Sequence, residues 1–164
     1  MRLLGLLVVA LVTLSGCATA ADAPASTRYY VVRHLHTPAG ERDPDLTAEG
    51  QRQAALLANW FGRSPPRAIY VTDYKRTRQT AALLAARLGL TPIVYDPADN
   101  PGLIARVRSG PLPALVVGHS NTVPDIIEQL GGARPAPLVH EDFGDIWLIG
   151  PDGETDRVKI TEPR

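Results

Sequence analysis

The chain has 164 residues, and its 17 basic and 17 acidic side chains give a formal net charge of zero. This length is enough for one domain with a substantial hydrophobic core. A neutral chain has no broad basic field of the kind that holds nucleic acid, so DNA and RNA are not expected partners.

The N-terminus has the pattern of a targeting segment. Arg2 precedes an apolar run over residues 3–14, which is too short to cross a bilayer as a stable helix and is typical of a signal peptide. The run leads into Leu14-Ser15-Gly16-Cys17, which resembles the lipobox of bacterial lipoproteins, and Cys17 is the only cysteine of the chain. We therefore expect cleavage before Cys17 and lipidation of its side chain.

This motif divides the chain into three parts. Residues 1–16 are predicted to be a lipoprotein signal peptide, residues 17–27 a lipidated flexible tether, and residues 28–164 the folded domain. The protein is then expected to be exported and anchored to a membrane, on the periplasmic side of the outer membrane if the source has two membranes. The alternative is an ordinary secretory signal cut near Ala18-Thr19-Ala20, with a chance cysteine.

Short apolar runs rich in β-branched residues alternate with longer segments of helical period along the folded domain. This alternation predicts a single three-layer α/β/α domain with a mostly parallel central sheet. Thr47 suits a helix N-cap, and Gly89 and Gly131 suit the left-handed residues that close helices. The predicted strands are residues 29–32, 68–72, 92–95, 114–117, 146–149 and 157–160, and the predicted helices are residues 47–61, 76–88, 101–108 and 123–130.

Polar side chains follow two of the predicted strands directly. Arg33 and His34 come after the first strand, and His119 follows Gly118 after the fourth. Open α/β sheets bind ligands at the carboxyl ends of their strands, so we expect the two histidines to converge on one site. Arg76 lies where the second strand passes into a helix, and a guanidinium binds phosphate bidentately while it stays charged.

Four segments, in this order, resemble the histidine phosphatase (phosphoglycerate-mutase-like) superfamily. Arg33-His34-Leu35 is similar to the family's Arg-His-Gly signature, and residues 46–51 are similar to the helix-opening pattern that follows it. Residues 73–81 resemble the segment that holds the second arginine, here Arg76. Residues 117–121 resemble the segment that holds the second histidine, here His119. The resemblance implies a histidine phosphatase-like fold.

The resemblance also implies roles for these side chains. Arg33, Arg76 and His119 are expected to hold the phosphoryl group, because charge on its oxygens must be neutralised while a nucleophile approaches in line. His34 is expected to attack phosphorus as a neutral imidazole, provided that a neighbouring acceptor fixes its tautomer. Water then hydrolyses the phosphohistidine. Neither step requires a metal or another cofactor, and the sequence has no His, Cys and carboxylate spacing typical of a metal site.

Two departures from the family pattern concern the site. Leu35 replaces the usual glycine, which either narrows the space beside His34 or turns the loop differently. The usual acid donor is absent, because only Asp96 and Asp99 lie between the second arginine and the second histidine, and Ser120 replaces the aspartate of acid phosphatases. The open candidates for a donor are Asp99, Glu41, Glu141 and Asp142.

Three functions are compatible with these residues. The first is a phosphatase that acts through phosphohistidine on a phosphorylated small molecule, envelope glycan or lipid head group. The second is a lipoprotein that binds an anionic ligand on the same fold without turnover. The third is a mutase-type phosphotransferase, which export and the missing glutamate disfavour.

Overall fold

The computed structural model describes residues 27–62 and 64–160. The predicted signal peptide, Cys17 and all of the tether except its last residue lie outside the described residues. The strands are β1 (Tyr29–Arg33), β2 (Ala68–Thr72), β3 (Ile93–Tyr95), β4 (Ala114–Gly118), β5 (Asp145–Ile149) and β6 (Thr155–Lys159), and the helices are α1 (Ala48–Trp60), α2 (Lys75–Leu88), α3 (Asn100–Ser109) and α4 (Val123–Gln129).

The strands form one six-stranded sheet in the order β3-β2-β4-β1-β5-β6. The four strands from β3 to β1 pair in parallel, whereas β5 and β6 are antiparallel to their neighbours. Helices connect the parallel strands, as crossover connections require. The predicted α/β fold with a mostly parallel sheet is therefore confirmed.

Alternation along the buried strands gives the sheet two apolar faces. Tyr30 and Val32 of β1 pack with α1 and α2, while Tyr29 and Val31 pack on the opposite face with α3 and α4. Successive side chains of a strand point to opposite faces, so a strand covered on both sides is apolar throughout. This arrangement is the predicted three-layer architecture. Among the described residues, no helix has the length and apolar character needed to cross a bilayer.

The helix ends follow the predicted capping residues. The Thr47 hydroxyl accepts a hydrogen bond from the Gly50 amide at 3.1 Å, which caps α1. Gly89 closes α2 with a left-handed φ of 64°, and Gly131, with φ 102°, follows α4.

Strand β6 begins two residues earlier than predicted, because the turn after Ile149 pairs that residue with Thr155.

Gly50 sets how closely α1 approaches the loop that leaves β1. A Cβ atom at this position would lie 2.4 Å from the backbone oxygen of His36 and 3.1 Å from its nitrogen. Real Cβ atoms do not come so close to backbone atoms, so the loop would have to move. The absence of a side chain at Gly50 thus fixes the loop just beyond His34.

We predict that Gly50→Ala destabilises the protein, although alanine is a better helix former by about 1 kcal/mol. Overpacking of this kind costs about 1–3 kcal/mol, so the free energy of unfolding should fall in denaturant titrations. Gln51→Ala, at the exposed neighbouring position, should change it by less than about 0.5 kcal/mol. A Gly50→Ala protein as stable as the wild type would contradict the close approach.

Candidate active site

The predicted site residues meet at one edge of the sheet. The carboxyl ends of the parallel strands β1, β2 and β4 lie there, and β5 begins at the same edge because it runs antiparallel to β1. The rings of His34 and His119 lie 5.5 Å apart between centroids. The structure therefore brings the two histidines together as the strand-end argument predicts.

His34 is held in one tautomer by its own loop. Its Nδ1 atom lies 2.9 Å from the backbone carbonyl oxygen of Leu35, and a carbonyl can only accept a hydrogen bond. Nδ1 therefore carries the proton, and Nε2 keeps its lone pair. The ring is only 6% exposed, so it is held in a defined position. This is the state that a histidine nucleophile needs.

The surroundings of His34 also keep it neutral. Burial lowers its pKa to about 3, against the opposing hydrogen bond to Leu35, and the positive charges of Arg33 and Arg76 and the neighbouring His119 lower it further. An imidazole that stays unprotonated well below pH 7 is available for attack on phosphorus over the whole physiological range.

His119 is oriented by two threonines. Its Nε2 atom lies 3.0 Å from Oγ1 of Thr72, the last residue of β2, and this hydroxyl lies 2.9 Å from that of Thr77. Burial and the charges of Arg76 and Arg33 lower the pKa of His119 to about 4, and Asp43 opposes this shift. His119 is thus neutral at pH 7 in the free protein.

Arg76 lies beside His119, at the start of α2. Its Nε donates to Nδ1 of His119 at 3.4 Å, and its NH1 donates to the Arg42 carbonyl at 3.1 Å. NH1 also lies 3.5 Å from the Asp43 carboxylate, and the guanidinium lies over the Tyr74 ring at 4.3 Å. These contacts keep a positive charge next to the histidine pair, where the sequence places a phosphate ligand.

Arg33 has a structural task that the sequence does not reveal. Its NH1 donates to the carbonyl oxygens of Val139, His140 and Asp142 at 2.6–3.2 Å. Its guanidinium also lies 4.0 Å from the centre of the Phe143 ring. Among the described residues its buried Nε has no hydrogen-bond partner. Arg33 therefore anchors the loop before β5, and one of its donors is left without a partner.

Leu35 turns away from the site. Its side chain is fully buried in the core between the sheet and α1 and α2, and its amide donates to Oγ1 of Thr80 at 3.0 Å. The loop directs this side chain into the core, which is one of the two outcomes expected where leucine replaces glycine. The space beside His34 is not filled by it.

The candidate acid donors do not converge on the histidines. Asp99 caps α3 by accepting from the Gly102 amide at 2.9 Å. Glu141 and Asp142 lie near Arg33, where burial lowers the pKa of the guanidinium and these two carboxylates oppose that shift. Glu41 is exposed in the loop after β1. Within the described ranges no hydrogen bond or ion pair joins any of these four carboxylates to His34 or His119, and no cluster of three or more metal-binding side chains is found.

Three residues of the site were missed in the sequence. Thr72 could have been found, since it ends a buried strand at the same sheet edge as His119. Phe143 packs against Arg33, His34 and His36. It was missed because the sequence does not show that the strand after it, β5, runs antiparallel and so begins at the edge of the site. Asp43 reaches Arg76 from the long loop after β1, and no sequence signal marks it.

We predict that His34 and His119 stay unprotonated in phosphate-free buffer at pH 5, as read from an NMR titration of the imidazoles. Because their folded pKa values lie below the unfolded value near 6.5, the unfolded chain binds more protons as the pH falls. The free energy of unfolding should therefore decrease between pH 7 and pH 4. His34→Asn should reduce that dependence. Titration of either ring near pH 6.5 would contradict the buried neutral pair.

Comparisons with known proteins show a family profile that matches part of the chain. The profile of the histidine phosphatase superfamily (branch 1) matches residues 29–98, which hold Arg33, His34 and Arg76. The PE-PGRS family protein PE_PGRS11 of Mycobacterium tuberculosis (strain ATCC 25618 / H37Rv) is 33% identical over 128 residues, which cover 73% of this chain and 18% of that protein. The chain thus spans less than a fifth of this curated relative.

Solved structures share the fold. The protein histidine phosphatase SixA complexed with tungstate has a TM-score of 0.61 at 20% identity, over 80% of this chain and 94% of that one. The mycobacterial glucosyl-3-phosphoglycerate phosphatase with VO3 has a TM-score of 0.63 at 17% identity, over 81% of this chain and 98% of that one. Residues 29–98 thus match the histidine phosphatase superfamily, and the described fold is that of histidine phosphatase structures.

Proposed function

We propose that this protein hydrolyses a phosphate ester, or a related phosphorylated compound, through a phosphohistidine on His34 and without a metal. The observation that carries the proposal is the fixed tautomer of His34, whose unprotonated Nε2 belongs to a ring 5.5 Å from that of His119 and near the charges of Arg33 and Arg76. A neutral imidazole nitrogen in a defined orientation is a competent nucleophile toward phosphorus.

The charges around the nucleophile suit a phosphoryl group. Arg76 and Arg33 place two guanidiniums near the histidine pair, and both lower the pKa values of the rings because they face them. Positive groups that are already oriented stabilise the charge on the equatorial oxygens without further reorganisation. The buried Nε of Arg33 has no partner among the described residues, which supports a donor role toward one of these oxygens.

The hydrogen bond from His34 to Leu35 also supports the covalent step. When Nε2 bonds to phosphorus, the ring gains positive charge, and the Leu35 carbonyl at 2.9 Å from Nδ1 stabilises that charge. The cationic ring is then a good leaving group when water attacks the phosphohistidine. The same contact thus serves both halves of the reaction.

Space for the organic part of the substrate adjoins the site. A cleft of about 470 Å³ is lined by six residues at the carboxyl ends of β2 and β3, namely Asp73, Tyr74, Val94, Tyr95, Asp96 and Pro97. Its Tyr74 ring lies 5.3 Å from that of His119. We infer that this cleft receives the group attached to the phosphate, which is part of a phosphorylated small molecule, an envelope glycan or a lipid head group.

We predict that the full chain, purified in detergent, hydrolyses 4-nitrophenyl phosphate in the presence of a chelator and that vanadate inhibits it. His34→Ala should lower kcat/KM by ~10³-fold or more because the nucleophile is lost. Arg76→Ala should cost on the order of 10²- to 10³-fold, as for the loss of one oriented charge-stabilising donor.

The matched control is His140→Ala, which removes an exposed imidazole near the site and retains the backbone carbonyl that Arg33 uses. Its kcat/KM should stay within about threefold of wild type, since the exposed ring meets Phe143 only edge-on, at 5.6 Å between centroids, and truncations at the surface are mild. Activity that chelation abolishes and a divalent ion restores would refute the metal-independent reaction. Binding of vanadate without turnover of any phosphate ester would favour the non-catalytic alternative.

We also propose that the protein works at a membrane, on the periplasmic side of the outer membrane in a bacterium with two membranes. The basis is the lipobox-like Leu14-Ser15-Gly16-Cys17 after a short apolar run. Several acyl chains on one residue anchor a protein stably, whereas one chain does so only marginally.

We predict that the wild-type protein takes up a fatty-acid probe in cells and fractionates with membranes. Cys17→Ser should abolish labelling and block cleavage at that site, because no thiol is left to carry the lipid. Ser15→Ala, in the same motif, should retain the label. Equal labelling of wild type and Cys17→Ser would rule out this anchor.

A further inference from the structure

We propose that Nδ1 of His119 is the proton donor and acceptor of the reaction and that Thr72 is the positioning residue that keeps this atom free for the task. This inference rests on the proposed phosphatase function. His119 would protonate the departing oxygen. Asp99, Glu41, Glu141 and Asp142 form no hydrogen bond or ion pair with either histidine among the described residues.

A chain of hydroxyls fixes the proton of His119. Arg76 Nε donates to Nδ1 of His119, so the proton of the neutral ring is on Nε2 and the Thr72 hydroxyl accepts it. The Thr77 hydroxyl lies 3.0 Å from the carbonyl of Thr72 and 2.9 Å from that of Tyr74, and donation to either carbonyl uses its only proton. It therefore accepts from the Thr72 hydroxyl, whose proton is then used as well. Thr72 Oγ1 is left to accept from Nε2 of His119 at 3.0 Å. The neutral ring carries its proton on Nε2.

The opposite nitrogen of His119 lies on the side of Arg76. Nδ1 accepts from Nε of Arg76 at 3.4 Å, a long hydrogen bond that an oxygen of the substrate can replace. The alternative donor near this atom is Asp43. Its carboxylate already accepts from the Lys75 amide at 3.0 Å and pairs with Arg76 NH1 at 3.5 Å. Those contacts already engage the Asp43 carboxylate.

The negative charge of the substrate makes protonation of His119 favourable. Arg76 and Tyr74 face His119 from the start of α2, Arg33 and His34 face it from the end of β1, and Asp43 faces it from the loop before α1. In the free protein the two guanidiniums disfavour a second proton on the ring. A bound phosphoryl dianion offsets their charge, so Nδ1 takes a proton from solvent when the substrate binds.

Protons and charges balance over both steps. Nε2 of His34 bonds to phosphorus while the bond to the leaving oxygen breaks, and that oxygen takes the proton from Nδ1 of His119. Water then attacks the phosphohistidine and gives a proton back to Nδ1. The phosphorus–nitrogen bond breaks, its electron pair returns to His34, and phosphate leaves.

The first test reads the tautomer directly. In the full chain with ¹⁵N-labelled histidine, in detergent, His119 should show an unprotonated Nδ1 and a protonated Nε2 at pH 7. Orthovanadate should protonate Nδ1 as well. Thr72→Val removes the acceptor and should give a mixture of tautomers, whereas Thr72→Ser keeps the hydroxyl and should restore the wild-type signals. Thermal unfolding of each variant shows that the fold is intact.

The second test uses leaving groups. His119→Asn should lower kcat for an alkyl phosphate by on the order of 10²- to 10⁴-fold, the usual contribution of a general acid. For 4-nitrophenyl phosphate, whose leaving oxygen needs little protonation, the loss should be at least tenfold smaller. Thr72→Val should also lower kcat more for the alkyl phosphate than for 4-nitrophenyl phosphate, by a smaller factor than His119→Asn does. Thr72→Ser should leave the ratio of the two kcat values as in the wild type.

Several results would overturn the assignment. They are equal losses for both substrates in His119→Asn, a proton on Nδ1 in the free wild-type protein, or unchanged histidine signals in Thr72→Val. If no phosphate ester is turned over at all, the phosphatase proposal fails. The signals with and without vanadate still decide whether Thr72 sets the tautomer and whether Nδ1 gains a proton.

Discussion

The parallel pairing of β1 with β4 is the constraint on which the site depends. Arg33 lies opposite Gly118 in this register, and the amide of His34 donates to the Gly118 carbonyl at 2.9 Å. The two chain segments therefore leave the sheet side by side, with a histidine at the end of each. A slip of one residue would turn every side chain of β1 to the other face and separate the histidines.

Burial of this pair determines its chemistry. Both imidazoles are buried beside two guanidiniums, and burial and the neighbouring positive charges together lower the pKa values of the rings, so the rings remain neutral. A backbone carbonyl accepts the Nδ1 proton of His34, and Nδ1 of His119 accepts only a long hydrogen bond from Arg76 at 3.4 Å, so each ring has one unprotonated nitrogen. The site combines a strong positive potential with two unprotonated nitrogens, which suits transfer of a phosphoryl group.

The fold and the meeting of His34, His119 and Arg76 could be predicted from the sequence. Buried parallel strands are continuous apolar runs, and polar residues after such runs must lie at one sheet edge. The double task of Arg33 could not be predicted, because its carbonyl partners belong to a loop more than a hundred residues away. Tertiary packing likewise determines three other features: the direction of β5, the contact of Asp43 with Arg76 and the inward turn of Leu35. No local pattern records these features.

The covalent intermediate is the most direct test of the account. The full chain would be mixed with a radiolabelled phosphate ester, quenched within milliseconds, and digested under alkaline conditions in which phosphohistidine survives. The account predicts acid-labile label on His34, none in His34→Ala, and a slower appearance of the same label in Arg76→Ala. Label on His119 or Ser120, or turnover without any labelled residue, would contradict it.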